Sequence, residues 1–209
     1  MSRIIRAVLT AGAAVAVLAG TATAVQADGD PGTPTASGTA AEAAREAAAV
    51  AAAAKAEAAA RFKMAQQVVT LTAAHSGKCL EIEGGKTTDG INAQQYACNS
   101  TDSQKWTAVA ARGGTFEMRN VKSGKCLEVQ GKSDKSGAAV QQFTCGQGDH
   151  QRWQILLVDP VRKLYELQPA HADGMCVDVP GQKQDNGIDA QLYTCNRTDA
   201  QLWQVGPVA

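Results

Sequence analysis

The residues of this 209-residue chain best equipped for chemistry are its six cysteines. They stand as Cys79 and Cys98, Cys126 and Cys145, and Cys176 and Cys195, each pair 19 positions apart. Six cysteines allow 15 pairings. A zinc site is the weaker reading, because no two cysteines are closely spaced and the three stretches share no histidine. The histidines, His75, His150 and His171, do not recur in register. No G-x-S-x-G, H-E-x-x-H or phosphate-binding glycine loop is present, and "GKS" at Gly131 lacks the preceding glycine. The sequence gives no reason to expect an enzyme, a metal or a cofactor.

The elements that must position these residues are repeated. "CLEIEGGKTTDGINAQQYACNSTDSQKW" from Cys79, "CLEVQGKSDKSGAAVQQFTCGQGDHQRW" from Cys126 and "CVDVPGQKQDNGIDAQLYTCNRTDAQLW" from Cys176 align without a gap. All three tryptophans of the chain close these stretches. The similarity extends upstream, "VTLTAAHSGKC" matching "FEMRNVKSGKC" and, with one residue inserted, "YELQPAHADGMC". A repeat at this period is a supersecondary unit that cannot bury its apolar face alone. The most economical cysteine pairing repeats with the unit, Cys79–Cys98, Cys126–Cys145 and Cys176–Cys195. Chain-entropy models give each loop of this size about 3 kcal/mol of stabilisation.

Within a copy the pattern is that of short strands. "CLEIE", "CLEVQ" and "CVDVP" alternate apolar and polar residues, so Leu80, Ile82, Leu127, Val129, Val177 and Val179 are expected in the core. Glycine-rich turns follow each, then a second run ("NAQQYAC", "AVQQFTC", "DAQLYTC"), then the Gln-x-Trp strand. About four strands per copy, twelve in all, are predicted to share one core around a pseudo-threefold axis. The fold class is all-β, with repeats at about 68–111, 112–158 and 159–209.

Ahead of the repeats the composition changes. Arg3 and Arg6, an apolar "AVLTAGAAVAVLAG" and the small residues of "VQA" read as an export signal over residues 1–27, cleaved after Ala27 or, as second choice, Ala24. Residues 28–39 are a Pro/Gly/Ser/Thr-rich spacer. Residues 40–67 are alanine-rich, with Glu57 and Arg61 in a favourable i, i+4 pair, and are expected to form a helical stalk. An alanine-seam coiled coil is the alternative reading of that segment. The mature protein is expected outside the cell as a monomer, without a membrane anchor. The chain is formally neutral, with 14 Lys/Arg against 15 Asp/Glu from Val68 onward, which argues against nucleic acid as a partner.

Three copies of "C[LV][DE][VI]" each ending in Gln-x-Trp resemble the ricin-B-type β-trefoil lectins, which include the family-13 carbohydrate-binding modules. The resemblance spans residues 68–209 and implies a β-trefoil with up to three shallow sugar sites. In the family an acid after the first cysteine accepts hydrogen bonds from sugar hydroxyls. An aromatic two residues before the second cysteine stacks on the sugar ring. A polar residue two before that aromatic, an Asn just before Gln-x-Trp, and the Gln itself complete the site. Carried over, the third repeat fits best, with Asp178, Tyr193, Gln191 and Gln201, and Asn196 at the rim; Ala200 stands where the family has Asn. The first repeat offers Glu81, Tyr96, Gln94, Asn99 and Gln104, with Ser103 for Asn. The second offers Glu128, Phe143, Gln141, His150 and Gln151, and ranks last. The implied partner is a polysaccharide or glycan, galactose- or xylose-containing by the family's habit.

Other readings stand beside these. Trp106, Trp153 and Trp203 are expected to be structural. Tyr96, Phe143 and Tyr193 suit either stacking on a ligand or packing inside. Asp102, Asp149 and Asp199 recur at one place in each copy, which favours turn chemistry. The glycosylation-like Asn99-Ser-Thr101 and Asn196-Arg-Thr198 belong to the repeat itself. A trefoil that binds protein, such as a protease inhibitor, and a structural secreted protein without a ligand are the competing functions.

Overall fold

The computed structural model describes residues 42–52 and 67–208. Residues 42–52 form an α-helix in which every residue is exposed. Alanine with interspersed Glu and Arg favours helix without supplying a packing face. The contacts divide the chain at Ala47, within this helix, and every strand falls in the second unit. The expected signal segment, the spacer and the rest of the expected stalk lie outside the described residues.

Thirteen strands follow. The first repeat supplies β1 (Val68–Ala73), β2 (Cys79–Ile82), β3 (Ile91–Tyr96) and β4 (Trp106–Ala110). The second supplies β5 (Phe116–Asn120), β6 (Cys126–Val129), β7 (Val140–Phe143) and β8 (Trp153–Asp159). The third supplies β9 (Leu164–Pro169), β10 (Met175–Asp178), β11 (Ile188–Asp189), β12 (Gln191–Thr194) and β13 (Trp203–Pro207). The count exceeds the expected twelve because the strand corresponding to β3 is interrupted at Ala190 in the third repeat.

Six strands pair antiparallel in a closed ring: β1 with β4, β4 with β5, β5 with β8, β8 with β9, β9 with β13, and β13 with β1. Closure leaves this barrel without an open edge. The other strands form three hairpins, β2–β3, β6–β7 and β10–β12. β3 pairs with both β7 and β11, and Ala139 bridges to Gln191, so each hairpin touches the other two. A six-stranded barrel capped by a triangle of hairpins is the β-trefoil.

The tryptophans join barrel to cap. Trp106, Trp153 and Trp203 open β4, β8 and β13 and are fully buried. Each indole Nε1–H donates to a hairpin carbonyl 26 positions back: Leu80 at 3.0 Å, Leu127 at 3.0 Å and Val177 at 3.3 Å. A buried indole N–H needs such a partner. The expected core residues of β2, β6 and β10 are buried around them. The acids on the opposite face of these strands are buried too, so the alternation is one of direction and not of exposure. In the turn after each of these strands a glycine, Gly84, Gly131 or Gly181, takes φ of 58°, 62° or 62°, a left-handed conformation that glycine adopts without a Cβ penalty.

Two glutamines fasten neighbouring repeats. Gln95 Nε2 donates to the carbonyls of Lys183 and Asp185, and Gln142 Nε2 to those of Lys86 and Thr88. Ser76 and Ser123 donate back to their side-chain oxygens. The third repeat has apolar Leu192 at this place, and there His171 Nε2 pairs with the Ser133 carbonyl oxygen. The three disulfides close within the repeats as the sequence suggested.

Substituting Trp106→Phe removes the donor to the Leu80 carbonyl and leaves a void, and is expected to cost roughly 2–4 kcal/mol. Gln95→Leu, which copies the third repeat but strands two turn carbonyls, is expected to cost about 1–3 kcal/mol. Urea denaturation followed by fluorescence measures both; a Trp106→Phe protein as stable as the parent would contradict the role given to the indole.

Candidate functional site

Each hairpin sets the same groups side by side. In the register of β2 with β3, Glu81 lies opposite Gln94 and Cys79 opposite Tyr96. Glu128 and Gln141, with Cys126 and Phe143, repeat this in the second hairpin, and Asp178 and Gln191, with Cys176 and Tyr193, in the third. Period two in the strand therefore puts acid, amide and aromatic on one face. The neighbouring disulfide ties the end of that face to the next turn.

The acids are buried and held by amides. Gln94 Nε2 donates to Glu81 at 2.9 Å, Gln141 Nε2 to Glu128 at 2.9 Å, and Gln191 Nε2 to Asp178 at 2.8 Å. The extra methylene of glutamate then makes a difference. Glu81 and Glu128 reach the buried Gln-x-Trp glutamines, accepting from Gln104 Nε2 at 2.9 Å and Gln151 Nε2 at 2.7 Å with their second oxygens. Asp178 is shorter and accepts from Gln191 with Oδ1; Gln201 Nε2 keeps the bond to the Thr194 carbonyl that Gln104 and Gln151 also make, to Ala97 and Thr144, without the bond to the acid. The third repeat leaves its carboxylate less committed to the protein.

The aromatics stand out of the core. Tyr96, Phe143 and Tyr193 are 38%, 41% and 42% exposed, and all three belong to the few large apolar side chains left on the surface. Of the two readings of these rings, exposure in register favours a stacking face.

Gln104 and Gln201 lie fully buried beneath the site. Their oxygens accept from the backbone N–H of Asn99 and Asn196, at 2.8 and 2.7 Å. Asn99 and Asn196 in turn accept from Thr101 and Thr198 through backbone N–H and side-chain hydroxyl. The residue between them, Ser100 or Arg197, takes φ of 59° or 58°. This is an Asx turn, and it explains the glycosylation-like spelling by local geometry. The positions where the family has Asn are occupied by buried Ser103, which shares a hydrogen bond with the Thr101 hydroxyl, by His150, and by buried Ala200. The recurrent acids have a structural task. Asp149 and Asp199 accept from Arg112 and Arg162, each 37 positions back, and Asp102 pairs with Lys105.

The second repeat departs from the other two. A cavity of about 550 Å³ opens beside Phe143, walled also by Glu128, Gln141, His150, Lys132 and Thr144. The signal for it lay in "CGQGDHQRW", where Gly146 and Gly148 replace the side chains of the Asx turn. His150 folds over Gly148, where an added Cβ would collide with the ring. His150 Nε2 lies 3.3 Å from Glu128 Oε2. Gln141 Oε1 is buried without a partner on this wall, an acceptor that a ligand hydroxyl would satisfy. Nothing in the sequence marked Lys132 and Thr144 as part of this wall.

The family model described as ricin-type β-trefoil lectin domain-like matches residues 58–143, 111–172 and 149–209. No curated protein matches the chain. Among solved structures it is similar to ThreeFoil, a designed threefold-symmetric protein, at 32% identity over 66% of this chain and 97% of that one (TM-score 0.63). It is similar to the exo-β-1,3-galactanase 1,3Gal43A of Clostridium thermocellum at 27% identity, over 68% of this chain and 30% of the galactanase (TM-score 0.64). The Rhizoctonia solani agglutinin shares the fold at 22% identity, over 68% of this chain and 95% of that one (TM-score 0.62).

Burial pushes the His150 imidazole below its ordinary value of 6.5; Glu128 pulls the other way, and Lys132 and His171 add to the depression. A histidine whose folded pKa is lowered is protonated first in the unfolded chain. Its contribution to stability is complete above the ordinary value and is lost as pH falls toward the folded one. The stability of the wild type is therefore expected to decline, as pH falls below about 6.5, more steeply than that of His150→Gln. Urea midpoints across this window check it, and equal slopes would contradict the assignment.

Proposed function

This chain belongs to the ricin-type β-trefoil lectin domain-like family, and from that premise we propose that it is a secreted carbohydrate-binding protein. One observation carries the reading: each repeat sets an exposed aromatic ring beside a buried carboxylate gripped by an amide, in the same register three times. Sugars present C–H faces that stack on such rings and hydroxyl pairs that bond to such carboxylates. The site is binding equipment, and the proposed activity is recognition without catalysis.

The third repeat is proposed as the best site, through Asp178, Gln191 and Tyr193, with Asn196 at the rim and Gln201 holding the turn beneath. The first repeat uses Glu81, Gln94 and Tyr96 in the same way, with Asn99 at the rim and Gln104 beneath. The second gains standing from its cavity and from the unpartnered Gln141 oxygen. Three weak sites on one rigid body multiply into useful avidity on a polymer. A galactose-containing glycan is the proposed ligand class, supported by the likeness to a galactanase. Three disulfides support an oxidising, extracellular setting. No described helix is long and apolar enough to cross a membrane.

Glycan-array and insoluble-polysaccharide binding test the reading. Asp178→Ala is expected to weaken the third site about 10- to 100-fold, and Tyr193→Ala about 10-fold. A folded wild type that binds no glycan would leave the lectin reading without support and favour a protein-binding or structural trefoil. Undiminished binding by both variants would overturn the choice of residues. N-terminal sequencing of the exported protein is expected to begin at Asp28.

A further inference from the structure

A second kind of cleft lies in the second repeat and shares no residue with the cavity beside Phe143. It holds about 270 Å³ between the β4–β5 hairpin and the start of β8, with Arg112, Glu117, Arg119, Gln147 and Arg152 in its walls. Three guanidiniums there face two carboxylates. Arg119 grips Glu117 Oε2 through Nε at 3.1 Å and Nη2 at 2.7 Å. Arg112 Nη2 donates to Asp149 Oδ1 at 3.2 Å, and Arg152 pairs with that same oxygen.

Arg152 is the unusual member. It is 6% exposed, its Nη1 donates to the Gln147 carbonyl, and its Nε is buried without a partner. Burial, and then the neighbouring Arg112 charge, push this guanidinium below its usual range, with Glu117 opposing. A buried cation that shares its paired carboxylate with Arg112 is costly unless something further compensates it.

The fold does not require this cluster. At the place of Arg152 the first repeat has Lys105 and the third has Leu202. At the place of Arg119 they have Thr72 and Gln168. The corresponding cleft of the first repeat is walled by Thr70, Thr72 and Lys105, and Lys105 is paired with Asp102. The same barrel is thus built three times, and the surplus positive charge is gathered once.

We infer that this cleft is a separate binding site for an oxyanion group, a carboxylate or sulfate. Arg112 and Arg119 supply the forked donors that such groups fit. Arg152 supplies the charge behind them. The anion bridges Arg112 and Arg119 at the mouth. The source is either a free small anion or the charged group of an acidic saccharide, whose hydroxyls would find an acceptor in Glu117.

Titration of the ¹⁵N-labelled full chain, read at the arginine Nε–H signals, tests this with three probes: sodium sulfate, oligogalacturonate and neutral oligogalactose. Saturable shifts at Arg112, Arg119 and Arg152 are expected with sulfate or oligogalacturonate and not with the neutral oligomer. The tighter of the two anionic probes identifies the source. Arg112→Ala, which alters a well-exposed side chain, is expected to weaken binding about 10-fold, and Arg119→Gln similarly. Phe143→Ala and Tyr193→Ala are expected to leave it unchanged, which separates this site from the proposed sugar sites. The absence of saturable shifts with both anions, or shifts undiminished in Arg112→Ala and Arg119→Gln alike, would overturn the inference.

Discussion

The indole that opens the last strand of every repeat is the interaction on which the rest of the molecule depends. Each tryptophan fills the space between barrel and cap, and its single N–H fixes the hairpin strand at one carbonyl. Those carbonyls, Leu80, Leu127 and Val177, belong to the residues just before the site acid or, for Val177, before Asp178 itself. Fixing that carbonyl therefore fixes where the acid points. A ring this large admits few alternative packings in a close-packed interior. The placement of the candidate face follows from the core without any further device.

Strand geometry then divides the labour. Gln94 and Gln95 are neighbours on β3, and period two sends them opposite ways. Gln94 grips Glu81 under the candidate site, while Gln95 fastens the turn of the third repeat. Gln141 and Gln142 do the same in the second repeat. One short strand thus serves the candidate site on one face and assembly on the other. The Gln-x-Trp glutamine is also structural in this sense, because it is fully buried and holds the Asx turn beneath the rim.

The sequence made legible whatever repeats. Cysteine pairing, core positions, the tryptophans and the ranks of acid, amide and aromatic all recur in register, so one inspection of the chain reveals them three times. Contacts between repeats left no such trace. The donors of Gln95 and Gln142 meet carbonyls some 54 to 90 positions away, and nothing in local pattern marks those partners. The reach of glutamate against aspartate is a difference of one methylene, visible in the letters but given meaning only by the position of Gln104 and Gln151. The cavity of the second repeat was signalled by Gly146 and Gly148, yet two glycines in a turn are equally consistent with backbone need alone.

Threefold repetition also explains why departures from it are informative. A side chain required by the barrel or the cap is required three times, as the tryptophans and the buried aliphatic residues are. A side chain that appears once is released from that requirement. Asp178 among two glutamates, His150 where its counterparts are Ser103 and Ala200, and Arg119 with Arg152 where their counterparts are mostly uncharged fall in this class. Each changes the chemistry of a surface while the strands beneath it keep their pairing. Holding an anion against a buried guanidinium and holding a neutral sugar against an exposed ring make opposite demands on solvent exposure. The second repeat keeps the two proposed sites on separate faces of one unit, with Gln151 committed to Glu128 on one side and Arg152 to Asp149 on the other.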